Sequence, residues 1–350
     1  MKYLFHIIFF LSVSFQVRAQ YLSPFNQKVI TTDSSGNYSF IISGHFYGDG
    51  GNKSHFPANT LLANLEWVNE ESNADMLVCL GDLFKDISND IPNYETSLFN
   101  QLEIPLVNSV GNHDLTGTVY QDNYGKTAFL FEVNNDLHLV LDTEQDNGDI
   151  EGEQLALLER VRDQVNQGDI HNVFIYTHRT VWSNSYEEMD GLFQDNTQSL
   201  SGTNFSTDVI PLLNEIGQKV PVFWFSGSLG TAPASFFYFH DAPNNLTIIA
   251  TAIRSLPRDA VLIAQVNQGE VSFLTHSFTG QDLLEIEAYD VNFWQTEVGA
   301  EPFNWKLIPY YMELAVTHRY FWYGILTFSI FFFSVKWGYK RFVQNKTASN

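Results

Sequence analysis

Basic residues and cysteine are both scarce in this chain of 350 residues. It has 18 Lys and Arg against 40 Asp and Glu, a formal net charge of −22, and one cysteine. Binding to nucleic acid depends on cationic side chains that neutralise phosphates, so the composition argues against a nucleic-acid partner. A lone cysteine cannot form an intramolecular disulfide. The fold must therefore rest on its core, for which 44% hydrophobic residues are ample.

The N-terminal residues have the pattern of a signal peptide. Residues 1–19 contain Lys2, an apolar run and then Val17-Arg18-Ala19, with small residues where a signal peptidase cleaves. This pattern predicts export and a mature chain that begins at Gln20.

The C-terminal residues have the pattern of a membrane anchor. Residues 320–335 contain no charged side chain, which predicts a transmembrane helix over 319–337, and the basic residues of 338–350 then predict a cytoplasmic tail. Together the two ends predict a single-pass membrane protein. Its residues 20–318 would lie outside the cytoplasm, in a periplasm, at the cell exterior or in a lumen.

Between the two ends, short β-rich apolar runs alternate with helical patterns, which is typical of an α/β domain. Near-continuous apolar strands indicate sheets that are covered on both faces. We predict this domain over residues 20–280, followed by a juxtamembrane stalk or strap over 281–318. The predicted strands are residues 39–43, 76–80, 104–110, 128–133, 137–141, 173–176, 220–225, 246–251, 260–266 and 271–276; the predicted helices are 61–68, 94–101, 153–165 and 209–216.

Polar side chains follow four of these strands directly. Because α/β sheets place ligands at the carboxyl ends of their strands, we expect the functional site there. An Asp, an Asn and several His at loop starts are ligands that suit Mn, Fe or Zn. A metal would also give this acidic chain the local positive charge that an anionic substrate needs. The loops are Ser43-Gly44-His45, Gly81-Asp82, Gly111-Asn112-His113-Asp114 and Thr177-His178-Arg179.

The order and spacing of these loops resemble the calcineurin-like metallophosphoesterases over about residues 38 to 278. Gly81-Asp82 and Gly111-Asn112-His113-Asp114 carry the resemblance, with support from Thr177-His178, Leu141-Asp142-Thr143 and Glu153-Gln154-Leu155. The resemblance implies a four-layer α/β/β/α sandwich of two mixed sheets, to which the sequence adds the C-terminal transmembrane helix. It also implies a hydrolase that acts on a phosphate ester.

The resemblance further implies a role for each site residue. Asp82 would bridge two metals, with His45 on the first and both Asn112 and His178 on the second. His113 would contact the phosphoryl oxygen or the leaving group, and Asp114 would orient His113 through its ring nitrogen. Two such cations can clamp a phosphate and activate a water for in-line attack.

Two family motifs are incomplete in this chain. Ser43-Gly44-His45 stands where the family has Asp-x-His, and Gly227-Ser228-Leu229-Gly230 stands where it has Gly-His-x-His. Serine and glycine replace neither a charged ligand nor an imidazole without loss of metal affinity. We therefore expect one ion rather than two.

Three interpretations remain open on the sequence alone. The chain could be an active phosphoesterase whose first metal site borrows ligands, it could work with one metal, or it could be an impaired pseudophosphatase that binds a ligand or partner at the membrane surface. Charged residues in the predicted loops are either phosphate ligands or surface charges. The candidates for borrowed ligands are Asp49, His55, His240 and His276; the candidate cations are Lys53, Arg179, Arg254 and Arg258.

Overall fold

The computed structural model describes residues 21–32, 35–193, 202–229, 232–298, 308, 312, 316 and 319–348. The predicted signal peptide, residues 1–19, lies outside the described residues. Within the described ranges, eleven strands form two sheets. The strands are β1 (Tyr38–Ser43), β2 (Met76–Cys79), β3 (Leu106–Asn108), β4 (Phe129–Val133), β5 (Asp136–Val140), β6 (Asn172–Thr177), β7 (Val222–Ser226), β8 (Phe236–Asp241), β9 (Leu246–Thr251), β10 (Ala260–Asn267) and β11 (Glu270–Ser277). The α-helices are α1 (Asn59–Ala63), α2 (Ile87–Tyr94), α3 (Val119–Tyr124), α4 (Gly152–Gln167), α5 (Ile210–Gly217), α6 (Val291–Val298) and α7 (Arg319–Ala348).

Both sheets mix parallel and antiparallel strands, as predicted. The smaller has the order β11-β10-β1-β2-β3, and the larger has the order β4-β5-β6-β7-β9-β8. Strands β1, β2 and β3 run parallel to one another, as do β5, β6, β7 and β9. The loops after β1, β2 and β3 therefore leave the same edge of the smaller sheet. They include three of the four predicted site loops.

Alternating side chains of each sheet pack into different layers. Phe40 of β1 lies in the core between the sheets with Phe174 of β6. Its neighbour Ile41 faces the opposite core, which α1 and α2 cover. On the far side, Leu158 and Val161 of α4 pack against the larger sheet. This arrangement confirms the two mixed sheets with flanking helices.

A polar network lies inside the core between the sheets. The His138 ring is fully buried, with Nδ1 2.9 Å from the Tyr176 hydroxyl and Nε2 3.0 Å from the Tyr38 hydroxyl. Tyr38 donates to Asp136 over 2.8 Å. Burial lowers the pKa of His138 to about 3, so the ring is neutral in the folded chain.

One helix begins earlier than predicted. The sequence predicts it over 94–101, whereas α2 starts at Ile87 and continues into a single π-helical turn, Glu95–Phe99. Asp86 caps the start, since its carboxylate accepts a hydrogen bond from the Ser88 N–H. Pro92 lies inside the helix, where a proline normally indicates a break.

Part of the predicted stalk or strap packs against the larger sheet. Ile286, Tyr289 and Trp294 are buried. The Trp294 indole donates to the Phe236 carbonyl over 2.9 Å, and the Tyr238 N–H donates to the Tyr289 carbonyl over 3.0 Å. Residues 286–294 therefore lie against the β8 edge of this sheet.

The transmembrane prediction over 319–337 is not supported. Among the described residues, no helix combines the length and the mean hydropathy of a membrane span, and this includes α7. The uncharged run at 320–335 is shorter than the about 20 residues that a span requires. Its Tyr, Trp, Gly, Thr and Ser residues also lower its mean hydropathy.

The buried His138 predicts a pH dependence of stability. Its pKa is lower in the folded chain than in the unfolded chain, so the unfolded chain binds more protons between about pH 6.5 and pH 3. Above about pH 6.5, His138 should not affect the free energy of unfolding. Below about pH 6.5, the free energy of unfolding should fall by up to about 1.4 kcal/mol per pH unit. Urea unfolding from pH 7.5 to 4.5 measures the slope. His138→Phe should reduce the slope, and an unchanged slope in this variant would contradict the assignment.

Candidate metal centre

The loop after β1 lies where the ends of the two sheets meet. The Gly44 N–H donates to the Thr251 carbonyl over 3.0 Å, and the Ile253 N–H donates to the Gly44 carbonyl over 3.2 Å. His45 follows with φ = 57°, a left-handed conformation that is uncommon for a residue with a side chain. This turn directs the chain across the sheet ends, and the His45 N–H donates to the Gly81 carbonyl over 3.0 Å.

Two glycines leave room for the side chains of Asp82 and His178. A Cβ atom on Gly111 would overlap Oδ1 of Asp82, and a Cβ atom on Gly81 would lie 2.5 Å from Nδ1 of His178. Because both positions lack a side chain, the loops after β2 and β3 and the His178 ring can approach one another closely. Asp82 itself is 2% exposed and has φ = 55°.

Two histidines approach the Asp82 carboxylate. His45 Nδ1 lies 3.3 Å from Oδ2, and His178 Nε2 lies 3.6 Å from Oδ1. One ligand atom from each of the three residues lies within 4.8 Å of the others, and all three residues are buried. The structure thus brings His45, Asp82 and His178 together, and their roles as metal ligands stay a prediction.

The protonation of these groups suits a cation. Nδ1 of His178 lies 2.8 Å from the Leu80 carbonyl, which can only accept, so Nδ1 carries a proton and Nε2 is the nitrogen that faces Asp82. Neither ring nitrogen of His45 has a hydrogen-bond partner of correct geometry. Burial, and then the charge of Arg254, lower the pKa of His45 well below its usual value, so its ring is neutral. Two imidazoles and a carboxylate fit one divalent ion of the Mn, Fe or Zn type.

His113 lies beside this group. Its N–H donates to Asp82 Oδ1 over 3.2 Å, and its ring Nδ1 lies 2.8 Å from the Lys85 carbonyl. The carbonyl can only accept, so Nδ1 holds the proton and Nε2 is the ring atom available for proton transfer. Asn112 begins a short 3₁₀ turn, Asn112–Asp114, and its side chain is exposed. Its role as a metal ligand stays a prediction.

Asp114 does not have the predicted role. Its Oδ1 accepts from the Phe84 N–H over 2.8 Å and its Oδ2 accepts from the Gly111 N–H over 2.9 Å, whereas the Lys85 carbonyl orients the His113 ring. The 3₁₀ turn explains the difference, because it turns the Asp114 carboxylate inward toward the start of its own loop. Burial, and then the neighbouring Asp82, raise the pKa of Asp114 to about 7.

The residues at the two incomplete motifs, Ser43 and Gly227, are closely packed. The Ser43 side chain is fully buried, and its hydroxyl has no hydrogen-bond partner. A Cβ atom on Gly227 would overlap the Leu80 carbonyl, and the Ser228 N–H donates to the His178 carbonyl over 2.8 Å. Gly230 lies outside the described residues.

The candidates for borrowed ligands are not part of the three-residue group. His55 Nδ1 lies 2.6 Å from Asp90 Oδ1, and the His276 ring stacks on Trp67 with 3.6 Å between centroids. His240 lies on β8, where its Nδ1 is 3.1 Å from the Thr247 hydroxyl. Asp49 accepts a hydrogen bond from the Gly51 N–H. These contacts are those of ordinary loop and strand residues.

Two more residues matter for the charge and shape of the site. Arg179 forms a two-point ion pair with Glu144, at 2.7 and 3.1 Å, so its charge is already balanced. Tyr47 is nearly buried, and its ring centroid lies 5.6 Å from that of His45 and 4.9 Å from that of His113. Tyr47 was not among the predicted site residues, because its only signal in the sequence is its position two residues after His45.

The enclosure of Asp82 predicts the effect of a small substitution. Gly111→Ala should displace the Asp82 carboxylate, since the added methyl group and Oδ1 cannot occupy the same space, and a clash of this kind costs about 1–3 kcal/mol. We expect weaker binding of Mn²⁺ by calorimetry and a lower midpoint in urea. Gly202→Ala is the control, because a Cβ atom there meets nothing within 4 Å. Wild-type Mn²⁺ affinity in Gly111→Ala would refute this description of the site.

A search of curated proteins finds no match. Among solved structures, one that matches is a purple acid phosphatase isolated from yellow lupin (Lupinus luteus) seeds, with a TM-score of 0.46 and 13% sequence identity. The match covers 71% of this chain and 53% of that chain, so this chain spans about half the length of that protein.

The matching family model covers most of the residues of the candidate site. Residues 53–198 match the model of the calcineurin-like phosphoesterase family. This range includes Asp82, the Asn112–Asp114 turn and His178, while His45 and the Gly227 loop lie outside it. The match supports the metal-dependent hydrolase expected from the sequence. The chain therefore contains a calcineurin-like phosphoesterase domain, matched over residues 53–198.

Proposed function

We propose that this chain hydrolyses a phosphate ester with one divalent ion, held by His45, Asp82 and His178. The observation that carries the proposal is the convergence of these buried side chains, with ligand atoms within 4.8 Å of one another. When bound there, such an ion supplies Lewis-acid stabilisation of the charge on a phosphoryl oxygen.

The residues around the group have separate tasks. Nδ1 of His113 keeps its proton on the Lys85 carbonyl, so the proton that the ring would give to the leaving oxygen is a second one, carried on Nε2. Asp114 positions the loops after β2 and β3 through the Phe84 and Gly111 N–H groups. It therefore holds Asp82 and His113 in register without contacting substrate.

A single ion is favoured by the residues at the incomplete motifs. Ser43 replaces a charged ligand by a hydroxyl, and a Cβ atom on Gly227 would overlap the Leu80 carbonyl, so this position has no room for a side-chain ligand. The three-residue group also joins His45 to His178, which the family resemblance assigns to different metals. Support for one shared ion comes from this joining and from the loss of ligands for a second.

A binding module without turnover is the second candidate. It is favoured by the loss of the carboxylate at Ser43 and by the unpartnered Ser43 hydroxyl. Such a protein would retain the cleft and bind a phosphate-bearing ligand without hydrolysing it.

The proposed function predicts metal content and turnover. Elemental analysis of the full chain should give about one equivalent of metal, and 4-nitrophenyl phosphate should be hydrolysed in added Mn²⁺. Loss of an outer partner of a metal site costs about 10–100-fold, so Asp82→Asn, which alters a ligand, should lose more than about 100-fold in kcat/KM together with the metal. Asp163→Asn, on the exposed side of α4, is the matched control.

The outcomes of this experiment separate the candidates. Two equivalents of metal would contradict the single ion. Metal binding without turnover on any aryl phosphate would favour the binding module. Full turnover in Asp82→Asn would refute the site.

We also propose that the domain works outside the cytoplasm. The support is the sequence pattern of residues 1–19, with its apolar run and small residues before Gln20. N-terminal sequencing of the chain isolated from its natural source should begin at Gln20, and a chain that begins at Met1 would contradict export.

A further inference from the structure

Asp90, on α2, is a fully buried carboxylate that lies outside the three-residue metal group. Its Oδ2 accepts hydrogen bonds from the Lys85 N–H over 3.0 Å and from the Asp86 N–H over 2.8 Å. Its Oδ1 lies 2.6 Å from Nδ1 of His55, whose side chain is half exposed. Two N–H groups on one oxygen suit the ionised carboxylate, which only accepts hydrogen bonds. These contacts fix the loop after β2 against α2.

One peptide unit joins Asp90 to His113. The Lys85 carbonyl and the Asp86 N–H belong to the same trans peptide, so they point in opposite directions. The N–H donates to Asp90, and the carbonyl accepts from Nδ1 of His113 over 2.8 Å. Two hydrogen bonds therefore connect the buried carboxylate to the His113 ring through a single peptide.

A charge at Asp90 strengthens the hydrogen bond at the other end of this peptide. A hydrogen bond to an ionised acceptor is stronger than one to a neutral acceptor, and it polarises the group that donates it. In a chain of hydrogen bonds this polarisation makes the next carbonyl a better acceptor. A better acceptor holds the Nδ1–H of His113 more firmly, which fixes the direction of Nε2 on the opposite side of the ring.

The loop after β1 also restrains this part of the chain. The Lys85 ammonium donates to the Gly50 carbonyl over 2.8 Å and to the Asn52 carbonyl. The Asn93 amide of α2 donates to the His55 carbonyl over 3.0 Å. Contacts through the side chain of Lys85 and through α2 thus act together, so the carbonyl of this peptide has little freedom to turn.

We propose that Asp90 is a positioning residue for proton transfer by His113, and that it acts through the Lys85–Asp86 peptide. This inference rests on the proposed function of the same site. The family resemblance implies that Asp114 orients His113, whereas Asp114 accepts hydrogen bonds from backbone N–H groups instead. Asp90 provides the corresponding negative charge from a different element, with one peptide between its carboxylate and the ring.

The kinetic test compares two esters on the full chain in Mn²⁺. Asp90→Asn keeps the size of the side chain and removes its charge. General acid catalysis contributes about 10²–10⁴-fold, so poorer positioning of the donor should lower kcat for phenyl phosphate, which has a poor leaving group, by about 10-fold. For 2,4-dinitrophenyl phosphate, whose leaving oxygen needs no proton, the loss should be below about 3-fold. An equal loss of kcat on both esters would overturn the proposal.

Two further variants separate positioning from folding. Asp86→Ala removes the cap of α2 but leaves the Asp86 N–H in place, so it should lower the urea midpoint without a difference between the two esters. Asp90→Glu restores the charge but fits the site less well than Asp90→Asn. A role of the charge predicts a higher kcat on phenyl phosphate for Asp90→Glu than for Asp90→Asn, and the reverse order would overturn the proposal.

A spectroscopic measurement keeps this inference distinct from the proposed function. Proton NMR of the full chain in Zn²⁺, which is diamagnetic, follows the Nδ1–H of His113, assigned from its loss in His113→Gln. A strong hydrogen bond moves this resonance downfield, so we expect it to move upfield in Asp90→Asn and to stay in place in Asp86→Ala. That result would support Asp90 even if no aryl phosphate were hydrolysed. An unchanged resonance in Asp90→Asn would overturn the role of Asp90 and leave the metal site intact.

Discussion

Two buried carboxylates, Asp82 and Asp114, lie at the centre of this structure, and the surrounding groups are arranged to tolerate them. Asp114 is compensated by backbone N–H groups and by a pKa raised to about 7 through burial. Asp82 has one backbone N–H from His113 and two imidazoles, of which His45 is held neutral. A buried carboxylate without a charged partner is costly. A divalent ion at Asp82 would relieve that cost, so an arrangement that lowers the stability of the metal-free fold would favour metal binding.

Much of the fold followed from local patterns. Apolar runs such as Met76–Cys79 are buried on both faces, and only a sheet covered on both sides accommodates them. The carboxyl ends of parallel strands meet at one edge, so polar residues at loop starts were expected to converge. His45, Asp82 and His178 do so. The start of α2 was not predicted, because Asp86 capping overrides the unfavourable Pro92.

The contacts that were not predicted depend on distant parts of the chain. Asp114 binds Phe84, 30 residues away, and the 3₁₀ turn that directs it there has no clear sequence signal. Tyr47 reaches His113 only after two loops have folded together. Arg254 and Arg258 were candidates among other cations, and their place on the loop that packs on Gly44, like the pairing of Arg179 with Glu144, depends on contacts between distant residues. The transmembrane prediction depended on the lack of charge at 320–335, whereas no helix among the described residues, α7 included, is long and apolar enough for a span.

The parallel bridge between Gly44 and Ala252 has a further consequence, because it joins the smaller sheet to the larger one beside the site. Separation of the sheets at this end would break the backbone hydrogen bonds of the Gly44 N–H and carbonyl, whereas the hydrogen bonds from Tyr38 to Asp136 and His138 in the middle of the sandwich join side chains. Relative motion of the two backbones should therefore be restricted here. The distance from His45 to the 252–259 loop would then be set during folding, and ligand capture would require little rearrangement of the backbone.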